Sequence, residues 1–231
     1  MFEAYRFPRS FPRGREYTVT VNGEPVEVLQ SDLANFVICA LTDGPAEVVV
    51  TTTVAKMPGG CTVHPLRLGV ETAVEENERL RFTLPRAANV LVQMPGLPDL
   101  YVFIHGEAEA KPGPADKKVL RIPAGQLVEA EMLELDGYEG LHIEGGAILK
   151  GRVVARDKPG LRITGHGIFD GSYYTRESGD GCIPSIVLNA CPEATVEDIT
   201  MVNPCGWMLL IGASDGTQVR RIKQLGKVIS S

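Results

Sequence analysis

GLHIEGGAILKG (residues 140–151) and GLRITGHGIFDG (160–171) are two copies of one pattern. Looser copies follow in EATVEDITMVNPCG (193–206) and DGTQVRRIKQLG (215–226). With the second apolar residue of each copy as a ruler, the marks fall on Ile143, Ile163, Val196 and Val219, at separations of 20, 33 and 23 residues. Five positions on stand Ile148, Ile168, Met201 and Gln224. The long interval reads as one ordinary turn plus an insertion, and the polar run SYYTRESGDG (172–181) is the insert. A period in the low twenties, β-branched residues, turn glycines and no helix-length apolar face predict a parallel β-solenoid. A single coil cannot bury its own apolar face. It buries that face by stacking on neighbours about 4.8 Å away, so core residues must recur in columns. Two β-hairpins with look-alike glycine turns are the competing reading, and four copies on one ruler favour the solenoid.

Upstream of the coils, GEAEAKPGPADKK (106–118) combines charge, Pro and Gly and reads as a linker. The domains therefore divide into a β-sandwich at 16–108, a linker at 109–118 and an incomplete parallel β-helix at 119–231, with the cut near 110–116. In the first part, Tyr17, Val19 and Val21 alternate with polar residues, NGEP turns the chain, and Val26 and Val28 alternate again, a hairpin signal. Apolar or alternating runs at 34–41, 47–54, 80–85, 89–94 and 100–106 bring the total to about seven strands, as in two half-apolar sheets face to face. Residues 1–15, with their Arg-Pro neighbourhoods, are expected to pack as an irregular arm. The final KVISS (227–231) has the character of the start of another coil rather than a polar cap. The expectation is a helix cut off after about four to five coils, with self-association through the open strand edges of the last one.

Composition narrows the function classes. Of 231 residues, 44% are hydrophobic and 23% charged, as in ordinary folded proteins. The formal charge of −6 and scattered basic residues argue against a nucleic-acid partner. No apolar run reaches the length of a membrane span, so no membrane partner is expected. The N-terminus lacks the apolar core of a secretion signal, leaving a cytoplasmic protein or a processed secreted form. Cys39, Cys61, Cys182, Cys191 and Cys205 show no CxxC or Cys/His spacing. They read as free thiols rather than a zinc site, with a Cys191–Cys205 bridge the alternative. Neither metal nor other cofactor is expected.

The sandwich opening with YTVTVNGEPV, the Pro-rich linker, GLHIEGGAILKG, GLRITGHGIFDGS and the VNPCGW segment together resemble the pectin-lyase-like right-handed β-helix. Within it the chain resembles the bacterial polygalacturonase-like branch, glycoside hydrolase family 28, over essentially everything from Tyr17 on. A sandwich followed by a β-helix also resembles the family 49 dextranases, so the substrate does not follow from the architecture. The resemblance implies hydrolysis of galacturonate-type glycans with inversion, by Asp residues in NTD and DD motifs followed by GHG and RIK. Inversion needs an acid and a base about 6.5–9.5 Å apart. This sequence contains neither Asn-Thr-Asp nor Asp-Asp. GHG (165–167) and RIK (221–223) are present, but GHG sits inside GHGIFDG, which resembles an early structural turn of the family, upstream of its catalytic coils.

On the ruler, His166 and Ile199 share an apolar slot, and Arg221 and Lys223 become solvated flanks, with bidentate pairing of a uronate carboxylate by the arginine as the alternative. Glu144 and Glu197 share a column with Thr164 between them. Asp136, Asp157, Asp170 and Asp215 read as turn residues. No catalytic residue is assigned. A β-elimination lyase would need calcium ligands, which no Asp cluster supplies. The candidate glycan-binding residues are Tyr173, Tyr174 and Arg176 of the insertion, and Trp207. Two functions stand side by side: a polygalacturonase-like hydrolase inactive in these 231 residues, with polysaccharide or oligosaccharide as partner, or a non-catalytic glycan-binding or scaffold protein.

Overall fold

The computed structural model describes residues 1–53, 56–75, 79–106, 118–174 and 183–227. They form two compact units, Met1–Glu109 and Ala110–Ser231, with no α-helix among the described residues. Most of the sequence-defined linker lies outside the described residues.

Among its described residues the first unit has eleven strands: β1 (Phe2–Ala4), β2 (Tyr17–Val21), β3 (Glu24–Val26), β4 (Leu29–Gln30), β5 (Asn35–Leu41), β6 (Ala46–Thr52), β7 (Thr62–His64), β8 (Ala73–Val74), β9 (Arg79–Leu84), β10 (Asn89–Gln93) and β11 (Leu100–His105). One sheet runs β1-β5-β11-β10-β7, with β4 also on β5; the other runs β3-β2-β6-β9-β8. Inward residues of period two, among them Val19, Val21, Val48, Val50, Leu80, Phe82, Val90, Val92 and Val102, form one buried cluster. The β2–β3 hairpin closes through Asn22 and Gly23 at φ 52° and 81°, the left-handed pair that matches strand twist.

The eleven strands exceed the expected seven because several two- and three-residue strands carry too little pattern to read. The N-terminal arm packs, as expected, and is mostly irregular, but it opens with a strand: β1 pairs antiparallel with β5, and Tyr5, Phe7 and Phe11 are buried. The ring of Phe11 meets that of Phe36 edge-on at 6.3 Å, on the face of β5 turned away from the sandwich core. Arg13 holds the arm in place, donating to the carbonyls of Phe11 at 2.7 Å and Phe7 at 2.9 Å and pairing with Glu27 at 3.0 Å.

The second unit is a parallel β-helix of nearly five coils: β12 (Val119–Ile122) and β13 (Leu127–Glu134); β14 (Gly140–Ile143) and β15 (Ile148–Arg156); β16 (Arg162–Thr164), β17 (Ile168–Asp170) and β18 (Ile186–Asn189); β19 (Thr195–Glu197), β20 (Thr200–Val202) and β21 (Leu209–Gly212); β22 (Gln218–Arg220) and β23 (Lys223–Leu225). β12, β14, β16, β19 and β22 stack as one sheet. The long β15 bends at Gly151, so its first half pairs with β17 and its second with β18. The stacked interior holds Leu141, Ile143, Leu149, Val153, Ile163, Phe169, Ile186, Leu188, Val196 and Met201.

The coils stack as the repeats require, but the register corrects the ruler. Ile163 pairs with Leu141, not Ile143, giving the column Leu120, Leu141, Ile163, Val196, Val219. Likewise Ile168 pairs with Thr200 and then Lys223, not Met201 and Gln224. The cause is the first turn of each coil. Five residues separate His142 from Ile148, three separate Thr164 from Ile168, and two separate Glu197 from Thr200. A fixed ruler carries these differences as slips of one or two positions.

Candidate functional site

The third coil is the one that opens. Asp170 ends β17, and its carboxylate accepts from the Ser172 N–H, the Ser172 hydroxyl and the Asn203 amide, each at 3.0 Å. This is the expected Asx-type turn, tied in addition to the coil above. Gly171 permits the exit: a Cβ there would lie 2.8 Å from the Asn203 carbonyl oxygen and 3.1 Å from Pro204 Cα. A single 3-10 turn, Gly171–Tyr173, then carries the chain outward. The ring of Tyr173 meets that of Tyr174 edge-on at 5.2 Å and is exposed, while the Tyr174 hydroxyl donates to the Glu131 carbonyl at 2.6 Å. The start of the insertion is thus pinned to the first coil below it as well as to the fourth above.

The chain re-enters at Ser185, whose carbonyl accepts from Val153 N–H and whose N–H donates to the Trp207 carbonyl, both at 2.9 Å. Continuing that register backwards, Arg152, Ser185 and Met208 stack on successive coils, with Trp207 one residue before Met208. The Trp207 backbone is held by this ladder while its side chain is 67% exposed. Below it, Glu131, Met132, Arg152, Tyr174 and Ile183 line a cleft of about 610 Å³. Of the residues named from sequence, Tyr174 lines this cleft and Tyr173 stands against it, Trp207 lies on a later coil and does not line it, and Arg176 lies outside the described residues. Sequence reading missed Arg152 and Met132, because only the bend of β15 and the pairing with β13 bring them here.

A second polar group faces outward from the sheet of β14, β16 and β19. The column there is His142, Thr164, Glu197, so Glu144 is not in it. Glu197 accepts from Arg162 at 3.2 Å and Arg221 at 3.1 Å. Asp198, fully buried, takes both the Nε of Arg221 at 2.6 Å and its Nη2 at 2.9 Å. Lys223 is not a solvated flank: it is buried, and its ammonium donates to the Asp198 carbonyl at 3.1 Å. Asp198 and Arg221 occupy successive left-handed turns at φ 69° and 50°, a short-turn geometry that brings acid and base together. His166 is the additional residue of the longer turn and is partly buried, rather than sitting in the apolar slot of Ile199.

Among the described residues the buried carboxylates are Asp170, Glu197 and Asp198. Each is committed to hydrogen bonds or arginine pairs that hold the coils. A general acid and base need freedom to exchange protons with substrate and water. Among the described residues, Cys39, Cys61, Cys191 and Cys205 are buried, and burial pushes the Cys39 thiol up to about 12, away from a nucleophilic thiolate; Cys182 lies outside the described residues.

His142 is buried, with its Nδ1 2.8 Å from the Thr164 hydroxyl. Burial, then the positive charge of Arg121, lowers its pKa from 6.5 to about 4. A histidine whose folded pKa is depressed binds its proton better unfolded. Its contribution to stability is present above the unfolded value and lost as pH falls from about 6.5 towards 4. Urea midpoints measured across that window should decline with acid. The decline should be shallower for His142→Gln; parallel curves would show that other groups govern it.

No family model matches the chain, and no curated protein does. Among solved structures, Dex49A from Penicillium minioluteum superposes with a TM-score of 0.73 at 12% identity, covering 96% of this chain. The likeness is one of fold. This chain spans 60% of the length of Dex49A. A putative glycosyl hydrolase from Parabacteroides merdae ATCC 43184 matches 45% of the chain and 58% of its own, at 16% identity and a TM-score of 0.36.

Proposed function

We propose that this chain belongs to a polysaccharide-acting protein built on the β-helix glycoside hydrolase architecture and that it binds the glycan at the corner bearing Tyr173 and Trp207. The preferred ligand is a pectin-type galacturonan, and the 231 residues do not hydrolyse it by themselves. The observation that carries this reading is the exposure of Trp207 on a backbone fixed by the coil ladder. Single exposed apolar side chains are ordinary on protein surfaces, and Leu66 is as exposed as Trp207; what sets Trp207 apart is a wide aromatic face on a fixed backbone. Such a side chain offers a flat apolar face at little conformational cost on binding, which suits a sugar ring. Tyr173, set edge-on to Tyr174, is a second such face.

The sequence lacks both Asp motifs of the polygalacturonase-like pattern, and the buried carboxylates are occupied, which supports binding without cleavage. Affinity electrophoresis in gels containing polygalacturonate tests the reading, alongside a reducing-end assay. The expected result is retarded migration, no new reducing ends, and binding about tenfold weaker for Trp207→Ala, on the scale of one well-placed aromatic contact. Unretarded migration on polygalacturonate and on dextran alike would overturn glycan binding. Release of reducing ends by the wild-type chain would replace it with hydrolysis.

A further inference from the structure

We propose that Arg152 is a carboxylate-recognition residue, making the cleft beneath Tyr174 a subsite for a uronate rather than a neutral sugar. This deepens the glycan-binding reading above and rests on it. Arg152 sits at the bend of β15, between the half that pairs with β17 and the half that pairs with β18. Its side chain is partly buried, and its Nε is buried with no hydrogen-bond partner. A buried, unpaired guanidinium N–H is costly, and folded proteins rarely leave one without a reason. The other arginines of this unit's buried network are treated differently: Arg162 and Arg221 pair with Glu197 at 3.2 and 3.1 Å.

The surroundings of Arg152 say what the missing acceptor is. It lines the 610 Å³ cleft with Met132, Ile183 and the ring of Tyr174, which supply apolar walls, and with Glu131. The Glu131 carbonyl is taken by the Tyr174 hydroxyl, and its side chain stands exposed, where water and salt screen its charge. A guanidinium presents parallel N–H groups along an edge that match the two oxygens of a carboxylate. Trp207 is joined to this corner through Ser185, two strand spacings on, or about 10 Å. Trp207 does not itself line the cleft, and an acidic glycan chain lying along the coil axis would have to span that distance to touch both the aromatic face and the guanidinium.

The test compares polygalacturonate with its fully methyl-esterified form for wild type, Arg152→Gln and Arg152→Lys. Arg152→Lys keeps the charge and aliphatic stem, and circular dichroism confirms the fold of each variant. Wild type should prefer the free acid, and the preference should weaken as salt rises. Arg152→Gln should bind polygalacturonate about tenfold more weakly, the scale of a charge-assisted pair, and bind the ester as wild type does. Arg152→Lys should fall between, having lost the fork but not the charge. Undiminished binding of polygalacturonate by both variants would overturn the assignment, as would equal losses on acid and ester. Wild type that binds neither form would instead refute the glycan reading itself.

Discussion

Alanine at Gly151 is expected to cost at least about 3 kcal/mol, the upper range for a single strained backbone position, and to cripple the coil unit. Gly151 stands at φ 140°, and a Cβ added there would lie 1.7 Å from the Ala130 carbonyl oxygen and 2.7 Å from its carbon. Neither atom belongs to a flexible side chain. Both are backbone of β13, which pairs with β15 up to this bend and resumes beyond it after a register irregularity between Ala130 and Leu133. Relief would require the two strands to separate at the bend that also forms the candidate binding corner. Gly160→Ala is the control. That residue has φ 68° with nothing within 4 Å, so only the left-handed conformation is penalised, by about 1 kcal/mol. Urea unfolding followed by circular dichroism should separate the two clearly. A Gly151→Ala chain as stable as the Gly160→Ala chain would show that the bend is not constrained as described.

The second large effect belongs to Arg221→Ala. It removes both guanidinium contacts from Asp198, whose carboxylate is fully buried, and one contact from Glu197. Leaving a buried carboxylate without its cation costs about 3 kcal/mol, far more than the pair itself contributes over an apolar replacement. Arg221 is 39% exposed at its side chain, so the converse change, Asp198→Ala, should be milder on the electrostatic side because the guanidinium can turn to water. The double variant should be less damaged than the sum of the singles by at least about 1 kcal/mol, the signature of direct coupling. Additive losses would mean that the two residues act independently. Arg221→Lys should recover part of the loss, since an ammonium supplies charge but not the two-pronged geometry that meets both oxygens of Asp198.

Both experiments bear on how much of this protein is legible in its sequence. The coil repeat was plain because each coil must present apolar residues to one shared interior, and GLHIEGGAILKG and GLRITGHGIFDG repeat that demand almost letter for letter. The alternation in Tyr17–Val21 and the Asn22–Gly23 turn were equally readable, being local. The short strand at the start of the N-terminal arm, and the partners the arm packs against, were not. That packing depends on Phe11 finding Phe36 and Arg13 finding Glu27, contacts between segments whose spacing carries no pattern. The register was half-legible. Ile163, Val196 and Val219 do share a column, but Leu141 replaces Ile143 at its second rung because the first turns differ in length.

The candidate site divides along the same line. Tyr173, Tyr174 and Trp207 stood out as aromatics beside an insertion and a turn. That Trp207 is held on the same corner as Ser185 follows from hydrogen bonds between coils. Nothing in the letters around Arg152 marks it, and nothing in RIK marks Lys223 as buried. The sequence by itself determined that this chain winds into stacked coils after a two-sheet unit, because period and alternation are properties of neighbours along the chain. The tertiary structure alone decided which charges neutralise one another and which guanidinium edge is left without an acceptor. Those outcomes depend on distances across coils, and turns of two, three or five residues reset them at every corner.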